Sequence, residues 1–347
     1  MTATPAYGAT APTAGVAPMT IERRDLRSED VAIDIAFCGV CHSDLHAARN
    51  DWGRTNYPFV PGHEIVGTVS AVGADVTTFQ IGDRVAVGTV VDSCRHCDAC
   101  DDGEENYCRE GVTGTYNAKD RVDGSTTYGG YSKSIVVAAP YVLRLPDGLD
   151  MGAAAPLLCA GITTYSPLKH WNVGPGSKVG VIGLGGLGHM GVKFAKALGA
   201  EVTMITTSPA KGDDAVKLGA DHVLVSTDKA AMKAAGRSFD FLLDTVPVAH
   251  DFTPYLMLLD RQGTLCIVGM IDQMPTFHSG LLLMGQKSVA GSGVGGIAQT
   301  QEMLDLCAAQ NILPEVEYIR MDQIEYAFSR MEKADVKYRF VIDMSSL

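Results

Sequence analysis

The sequence lacks both a surplus of basic residues and a long apolar run. It has 28 Lys and Arg residues against 40 Asp and Glu residues, which gives a formal net charge of −12. An acidic surface repels nucleic acid and anionic membranes, so neither is expected as a partner. No stretch approaches the roughly 18 apolar residues that span a bilayer, and residues 1–20 lack the basic and apolar segments of a signal peptide. We therefore expect a cytoplasmic protein.

The sequence also lacks internal repeats and, after residue 20, long low-complexity tracts. Its 46% hydrophobic and 20% charged residues are typical of a globular chain. A length of 347 residues exceeds what one hydrophobic core usually supports. The length therefore predicts two domains.

The order of the apolar runs predicts an α/β chain whose two halves differ. Short β-rich runs separated by Gly, Pro and Asp predict a β-rich first domain, with strands near 31–35, 64–72, 84–91 and 131–138. After residue 156, apolar runs alternate with helix-compatible segments, which predicts a doubly wound parallel sheet with strands near 179–182, 202–206, 222–225, 239–244 and 264–268. Helices near 299–310 and 322–333 and a strand at 338–344 follow. The sequence leaves open whether these last elements extend the parallel sheet or return to the first domain.

Nine cysteines are present, an odd number that argues against a disulfide framework. Four of them lie in one polar segment, separated by two, two and seven residues: Cys94, Cys97, Cys100 and Cys108. One loop with this spacing can wrap a tetrahedral zinc ion, and four thiolates leave no open coordination position. This segment, about 92–110, is called the cysteine lobe, and we predict that it holds a structural zinc.

A glycine-rich loop follows the predicted strand at 179–182 and opens a helix. The glycine loop consists of Gly183, Leu184, Gly185, Gly186, Leu187 and Gly188. In a strand–loop–helix setting this pattern predicts a dinucleotide site with the pyrophosphate at the helix N-terminus. Where NAD-binding chains usually place an acid after the next strand, this chain has Thr207, Ser208 and Lys211. Hydroxyls and a lysine suit a 2′-phosphate, so we predict NADP(H); the alternative is an NAD site without its usual acid.

Three further N and S ligand candidates lie near predicted strand ends or turns: Cys41, His63 and Cys159. Three protein ligands leave a zinc ion one open position for chemistry. Glu64 is a candidate fourth ligand or nearby electrostatic partner, and Asp44 is a candidate acceptor for the second ring nitrogen of His63. Spacing alone leaves Cys159 equally compatible with a buried core thiol.

Four motifs, taken together and in this order, resemble the zinc-dependent medium-chain alcohol dehydrogenases. They are residues 38–46 (CGVCHSDLH), 60–67 (VPGHEIVG), the cysteine lobe ending in 105–108 (ENYC), and 183–189 (GLGGLGH). The similarity covers nearly the whole chain after residue 20. Within the family, the chain is most similar to the cinnamyl alcohol dehydrogenase group and its bacterial aldehyde-reductase relatives.

The resemblance implies a GroES-like catalytic domain at 1–156 and 297–347, with a Rossmann domain at 157–296 inserted into it. It also implies two zinc ions per chain. The catalytic ion is assigned Cys41, His63 and Cys159, with Glu64 as an exchanging neighbour, and the structural ion is assigned the four thiolates of the cysteine lobe. Homodimers joined through the Rossmann domains are usual in the family.

The resemblance further implies a proton relay through Ser43 and His46, with Asp51 as a supporting acid and His42 near the cofactor pyrophosphate. Outside this motif, Ser43 would be interpreted as a helix cap and His46 as a solvated histidine. The pocket walls implied by the resemblance are Trp52, Tyr116, Leu158, Gly293 and Val294. Plant relatives that reduce cinnamyl aldehydes often carry a bulky aromatic residue in place of this glycine, so we expect a roomier pocket here.

These features predict an NADPH-dependent aldehyde reductase and alcohol dehydrogenase acting on aromatic aldehydes, such as cinnamaldehyde, and on medium-chain aliphatic aldehydes. A polyol or formaldehyde dehydrogenase on the same scaffold is an alternative within the enzyme class. A second alternative is a zinc-stapled, NADPH-binding regulatory or sensor protein without turnover. Such a protein would not need the relay residues and an open metal position together.

Overall fold

A seven-stranded sheet and a six-stranded sheet organise residues 1–270, 273–274 and 276–347, the part of the chain that the computed structural model describes. Each sheet lies in one of two compact units. The first unit contains Met1–Cys159 and Gly295–Leu347, and the second contains Ala160–Val294.

The strands of the described residues follow in chain order: β1 (Thr2–Gly8), β2 (Ala17–Arg23), β3 (Asp30–Val40), β4 (Ile65–Val72), β5 (Arg84–Val87), β6 (Val90–Asp92), β7 (Thr113–Gly114), β8 (Ser134–Ala138), β9 (Leu143–Arg144), β10 (Lys178–Ile182), β11 (Glu201–Thr206), β12 (His222–Val225), β13 (Phe239–Asp244), β14 (Leu259–Ile267), β15 (Ser288–Gly291), β16 (Val316–Arg320) and β17 (Arg339–Asp343).

The α-helices of the described residues are α1 (His42–Ala48), α2 (Asp98–Asp101), α3 (Met151–Ala154), α4 (Ala160–His170), α5 (Gly188–Ala197), α6 (Gly212–Lys217), α7 (Lys229–Ala234), α8 (Thr253–Leu258), α9 (Gly280–Leu283), α10 (Ile297–Gln310) and α11 (Ile324–Glu332). Short 3-10 turns lie at Glu105–Tyr107, Ala139–Tyr141, Ala155–Leu158, Pro209–Lys211, Met321–Gln323 and Met344–Ser346. None of the helices in the described ranges is both long and apolar enough to cross a membrane.

The large sheet of the first unit has the order β16-β17-β3-β4-β5-β9, and β8 also pairs with β3. Strand β17 runs antiparallel to β3, with Phe340 opposite Val40 and Ile342 opposite Cys38. The C-terminal segment therefore returns to the sheet built by the N-terminal half, which answers the question that the sequence left open.

The pairing of β3 with β4 explains why two distant ligand motifs meet. The strands are antiparallel, with Cys38 near the end of β3 opposite Ile65 at the start of β4. The Gly39 N–H donates to the carbonyl of Glu64 at 2.8 Å. The residue that follows β3, Cys41, is thereby placed beside the residues that precede β4.

The sheet of the second unit is parallel throughout and has the order β12-β11-β10-β13-β14-β15. The chain moves outward in one direction from β10 and then in the other from β13. Val179, Val181 and Ile182 of β10 are all buried, as expected for a central strand covered on both faces. This doubly wound order creates a crevice at the carboxyl ends of β10 and β13, where such sheets bind dinucleotides. The predicted fold class is confirmed.

The structure corrects one predicted strand and settles the form of the N-terminal residues. The strand expected over 84–91 is divided into β5 and β6, because the chain leaves the sheet at Gly88. The Thr115 hydroxyl donates to the Gly88 carbonyl, and a Cβ at Gly88 would lie 3.1 Å from the carbonyl oxygen of Leu158. Residues near the N-terminus form β1 and β2, which pair as an antiparallel hairpin.

Candidate active site and metal centres

Cys41, His63, Glu64 and Cys159 form one cluster in the first unit, called the Cys41 cluster. One ligand atom from each side chain lies within 4.8 Å of the others. The two sulfur atoms are 3.9 Å apart. His63 Nε2 and Glu64 Oε2 are buried and have no hydrogen-bond partner among the described residues.

The Cys41 cluster fits a zinc ion. Zn–S bonds of about 2.3 Å at a tetrahedral angle separate two sulfur atoms by about 3.8 Å, close to the observed spacing of Cys41 and Cys159. A buried imidazole nitrogen without a partner is unfavourable unless a ligand satisfies it. The donor set of two thiols, one imidazole and one carboxylate matches zinc chemistry, and three of these ligands leave a fourth position for exchange.

Asp44 ties the two ligand motifs together. Its carboxylate is fully buried and accepts hydrogen bonds from the Cys41 N–H at 2.9 Å and the Gly62 N–H at 2.9 Å. The Tyr131 hydroxyl donates to the same carboxylate at 3.2 Å. Gly62 has φ +100°, and a Cβ there would lie 2.7 Å from the Tyr131 ring. The segment before His63 is therefore held against the turn that carries Cys41.

The second ring nitrogen of His63 has a different nearest partner from the one expected. His63 Nδ1 lies 3.0 Å from the Tyr116 hydroxyl and 3.5 Å from Asp44 Oδ1. If Nε2 binds a metal, Nδ1 carries the proton and donates it to the tyrosine oxygen. Tyr116, predicted as a pocket wall, therefore lies against His63, and Asp44 is the more distant neighbour of the same nitrogen.

Arg339 completes the cluster and was missed from the sequence. Its guanidinium, at the start of β17, forms a buried ion pair with Glu64 Oε1, and Oε2 is left without a partner among the described residues. A Cβ at Gly39 would lie 2.0 Å from Glu64 Oε2, so only glycine leaves room for this carboxylate. An arginine beside the apolar run 340–342 was the available signal, since a buried charge needs a partner.

Electrostatics at the cluster favour a cation. Burial acts to lower the pKa of His63, but Asp44 and Cys41 outweigh it and raise the pKa to about 9. Burial raises the pKa of Glu64 to about 7, although Arg339 opposes the shift. Burial also raises the pKa of Tyr116 well above its ordinary value, and nearby Asp44 adds to the effect. These directions indicate a desolvated site with excess negative charge, where a divalent cation is stabilised.

The predicted relay residues lie on α1, directly after Cys41. Cys41 is the N-cap of this helix, so Ser43 lies inside the first turn and is not the cap that was considered as its alternative role. Ser43 and His46 are three residues apart and therefore neighbours on one face of the helix. His46 Nδ1 lies 2.8 Å from Asp51 Oδ2, and its ring is 5.5 Å from that of Trp52. The structure thus brings three predicted residues together around His46.

His42 also lies on α1, and its ring centroid is 6.3 Å from that of His46. Burial lowers the pKa of His42, which favours the neutral imidazole. Of the other predicted pocket residues, Leu158 is buried in the first unit. Gly293 is exposed in the second unit, and a Cβ there would meet no atom from the described ranges within 4 Å. Val294 follows it with φ +48°.

The four cysteines of the cysteine lobe also come together, with one sulfur from each within 4.8 Å of the rest. The Cys94 and Cys100 sulfurs are 3.8 Å apart, and those of Cys97 and Cys100 are 3.5 Å apart. Backbone N–H groups of Arg109 and Cys100 donate to Cys97 and lower its thiol pKa to about 6. The spacing and the stabilised thiolate fit a four-thiolate zinc site.

The glycine loop has the shape of a dinucleotide-binding turn. Gly183 has φ +89°, a conformation that favours glycine. A Cβ at Gly188 would lie 1.8 Å from the Gly183 carbonyl oxygen, so helix α5 can approach the strand only with glycine there. A Cβ at Gly185 would meet no atom of the described residues within 4 Å, which leaves space for a pyrophosphate. The loop therefore fits the cofactor predicted for it.

Lys211 is brought to the glycine loop from the turn after β11. Its Nζ donates to the Leu184 carbonyl at 3.3 Å, while the rest of the side chain is exposed. Ser208 is half-buried, and its N–H donates to the Thr206 hydroxyl at 3.2 Å. Thr207 is exposed beside it. A cation and two hydroxyl side chains thus lie on the segment that follows β11, within the second unit.

The chain matches two known protein families. The family described as "Alcohol dehydrogenase GroES-like domain" matches residues 27–147, and the family described as "Zinc-binding dehydrogenase" matches residues 186–309. The first match contains the cysteine lobe and Cys41, and the second contains most of the nucleotide unit. The resemblance predicted from the four motifs is confirmed.

Individual relatives align along nearly the whole chain. Probable formaldehyde dehydrogenase AdhA from Bacillus subtilis is 53% identical over 328 residues, which cover 94% of each chain. NADP-dependent alcohol dehydrogenase C 1 from Mycolicibacterium smegmatis is 51% identical over 351 residues, covering 100% of this chain and 99% of that protein. The structure of a cinnamyl alcohol dehydrogenase from Sorghum bicolor superposes with a TM-score of 0.96 at 45% identity, covering 99% of this chain and 98% of that one.

Proposed function

The chain belongs to the zinc-dependent alcohol dehydrogenase family, and we propose that it transfers hydride between NADPH and aldehydes or primary alcohols, mainly in the direction of aldehyde reduction. The observation that carries this proposal is the Cys41 cluster, with its two facing sulfurs and its buried His63 Nε2, which has no partner in the part of the chain that the structure describes. The relatives carry enzyme names, so the alternative of a regulatory protein without turnover is not supported.

We assign Cys41, His63 and Cys159 as ligands of the catalytic zinc, with Glu64 as the exchanging neighbour. When bound, zinc supplies Lewis-acid polarisation of a carbonyl oxygen and NADPH supplies the hydride. Ser43 donates a proton to the oxygen of the reduced carbonyl, and His46 returns a proton to Ser43. Asp51 orients the His46 ring through Nδ1, and water at this exposed pair refills the relay.

Substrates are proposed to be aromatic aldehydes such as cinnamaldehyde and medium-chain aliphatic aldehydes. Support comes from the similarity to a cinnamyl alcohol dehydrogenase and from Gly293, a proposed pocket wall that presents no side chain. Formaldehyde, named by one relative, is the second candidate. The test is oxidation of NADPH by the zinc-loaded chain with each of the three aldehydes in turn. Turnover with none of them would contradict the proposal.

We propose that Lys211 binds the 2′-phosphate of NADPH together with Thr207 and Ser208. Replacing Lys211 with alanine should raise the KM for NADPH about tenfold or more, because a charge-assisted hydrogen bond is lost. The KM for NADH, which lacks this phosphate, should stay unchanged. Steady-state kinetics with both cofactors measure the difference, and Lys217→Ala, an exposed lysine on the following helix, is the matched control. Equal losses with both cofactors would contradict the assignment.

We further propose a homodimer joined through the second unit. Strand β15 is the last strand of its sheet, so its outer edge is open to pairing. Leu283 and Met284, just before it, are 79% and 85% exposed. Leu283→Glu should convert the dimer to a monomer in sedimentation velocity, whereas Val122→Glu, at a 73% exposed position in the first unit, should not. A monomeric wild-type chain would refute this proposal.

The cysteines of the Cys41 cluster and of the cysteine lobe are free thiols, which favours a reducing compartment. We therefore also propose a cytoplasmic location. The proposed substrates are small molecules, and neither nucleic acid nor membrane is proposed as a partner. Disulfides within the cysteine lobe of freshly isolated protein would argue against this location.

A further inference from the structure

A buried acid and a histidine face each other at the end of β13. Asp244, the last residue of this strand, is completely buried, and His250 lies six residues later. Asp244 Oδ2 and His250 Nε2 are 3.3 Å apart. Both atoms are buried, and neither makes a hydrogen bond in the described ranges, so the pair meets as a close charge contact. The two side chains therefore close residues 244–250 into a loop, called the Asp244–His250 loop.

The close contact of the pair favours an extra proton. His250 Nδ1 lies 2.8 Å from the Val248 carbonyl, which can only accept, so Nδ1 must carry a hydrogen. A neutral His250 would then present a lone pair on Nε2 to the carboxylate of Asp244. The contact is favourable only when the imidazole is protonated or the carboxyl is protonated. A proton on the pair therefore favours the closed loop.

The Asp244–His250 loop packs directly on the glycine loop. The Thr245 hydroxyl donates to the carbonyls of Ile182 and Gly183, at 2.8 and 3.0 Å. A Cβ at Gly183 would lie 2.9 Å from a methyl group of Val246. Movement of residues 245–246 would therefore move the first glycine of the dinucleotide-binding turn.

The surroundings of the pair contain few charges that could replace this proton. The Tyr255 ring of α8 lies 5.7 Å from the His250 ring. The Phe252 ring, just before α8, lies 5.0 Å from the same histidine ring. Burial raises the thiol pKa of Cys266, on β14, to about 12, and the nearby charge of Asp244 adds to this shift. Asp251, on the exposed side, is the other acid near His250. Burial raises the pKa of Asp244 to about 6. The stabilisation that the proton gives to the closed loop is therefore lost as the pH rises through and above this value.

We propose that Asp244 and His250 are a positioning pair for the cofactor: their shared proton fixes the Asp244–His250 loop against the glycine loop, and its loss at alkaline pH weakens NADP(H) binding. The inference rests on the proposed binding of NADP(H) by the second unit. It adds a pH dependence to cofactor affinity that arises outside both metal clusters and outside the residues assigned to the proton relay.

The test compares NADPH binding by wild type and by Asp244→Asn. In the variant, the amide N–H₂ donates to a neutral His250 Nε2 without titrating, so the loop stays closed at every pH. Fluorescence titration of the zinc-loaded, full-length protein gives the Kd for NADPH at about pH 6 and about pH 9. The Kd of wild type should rise about tenfold more than that of Asp244→Asn over this range. Titration of the cofactor's own phosphate affects both proteins equally, so it cancels in the ratio of the wild-type Kd to the Asp244→Asn Kd at each pH.

Two further variants keep the inference falsifiable. His250→Gln also supplies a permanent donor and should show the same flat profile as Asp244→Asn, whereas His250→Leu leaves Asp244 without a partner and should weaken NADPH binding about tenfold even at the lower pH. Zinc content and melting temperature confirm that each variant is folded. Parallel pH profiles for wild type and Asp244→Asn, or unchanged binding by His250→Leu, would overturn the inference. Failure of wild type to bind NADPH at either pH would instead overturn the proposed function, and the inference with it.

Discussion

Replacing Ser43 with alanine should lower kcat for aldehyde reduction about a hundredfold to ten-thousandfold, the usual range for loss of a positioned proton donor. Ser43 lies in the first turn of α1, two residues after the proposed ligand Cys41 and one turn before His46. Alanine removes the hydroxyl and is at least as good a helix former, so the helix itself should persist. Zinc content and the Kd for NADPH should therefore match those of wild type.

The matched control is Ser43→Thr, which keeps a hydroxyl at the same position and should retain much of the activity. Steady-state kinetics, metal analysis and NADPH titration on the same preparations separate the relay from binding. Full activity in Ser43→Ala would refute the relay assignment. Loss of zinc in that variant would mean that Ser43 supports the metal site and does not transfer the proton.

Replacing Cys97 with serine should be the most damaging single change to folding. Structural zinc sites contribute folding energy outright, on a scale comparable with the stability of a whole domain. The cysteine lobe also supports the C-terminal segment of the first unit: Glu105 Oε2 accepts from the N–H of Ile297 at 2.9 Å, at the start of α10. A Cβ at Gly296 would lie 1.7 Å from the Gly103 carbonyl oxygen, so the two segments are in close contact.

We expect Cys97→Ser to lose one zinc per chain and to lower the Tm by more than about 10 °C, or to abolish soluble expression. The control is His96→Ala. His96 lies between two of the cysteines proposed as ligands, but its exposed ring contacts Glu110 at 2.9 Å and is not needed by a four-thiolate site. Calorimetry and metal analysis of the two variants provide the comparison. An unchanged Tm in Cys97→Ser, or loss of zinc in His96→Ala, would contradict the ligand assignment.

The parts of the fold and site that the sequence predicted well are those determined by local geometry. The four cysteines of the lobe lie within one short segment, so their spacing alone constrains how they can meet. The glycine loop is similar, because a positive φ at Gly183 and the close approach at Gly188 are requirements of a single turn. The alternation of apolar runs likewise predicted the parallel sheet of the second unit.

Contacts between residues far apart in the chain were beyond this reasoning. Arg339 pairs with Glu64 across 275 positions, and the Tyr131 hydroxyl reaches Asp44 across 87. The contact of Cys159 with Cys41 spans 118 positions and was predicted through the family resemblance, because spacing left it undecided. Tertiary packing brings these partners together, and neither periodicity nor spacing encodes it. The Asp244–His250 contact is local in sequence, but its proposed role depends on the burial of Asp244, which could not be predicted from the sequence.

The central claim, that the chain passes hydride from NADPH to a carbonyl at the Cys41 cluster, is tested most directly by isotope transfer. NADPH carrying deuterium at the hydride position of its nicotinamide is mixed with cinnamaldehyde and zinc-loaded wild-type protein, and the alcohol is analysed by mass spectrometry. We expect one deuterium on the carbinol carbon of the product from wild type and no product from Cys159→Ser. Unlabelled alcohol, or equal labelled product from Cys159→Ser, would contradict it.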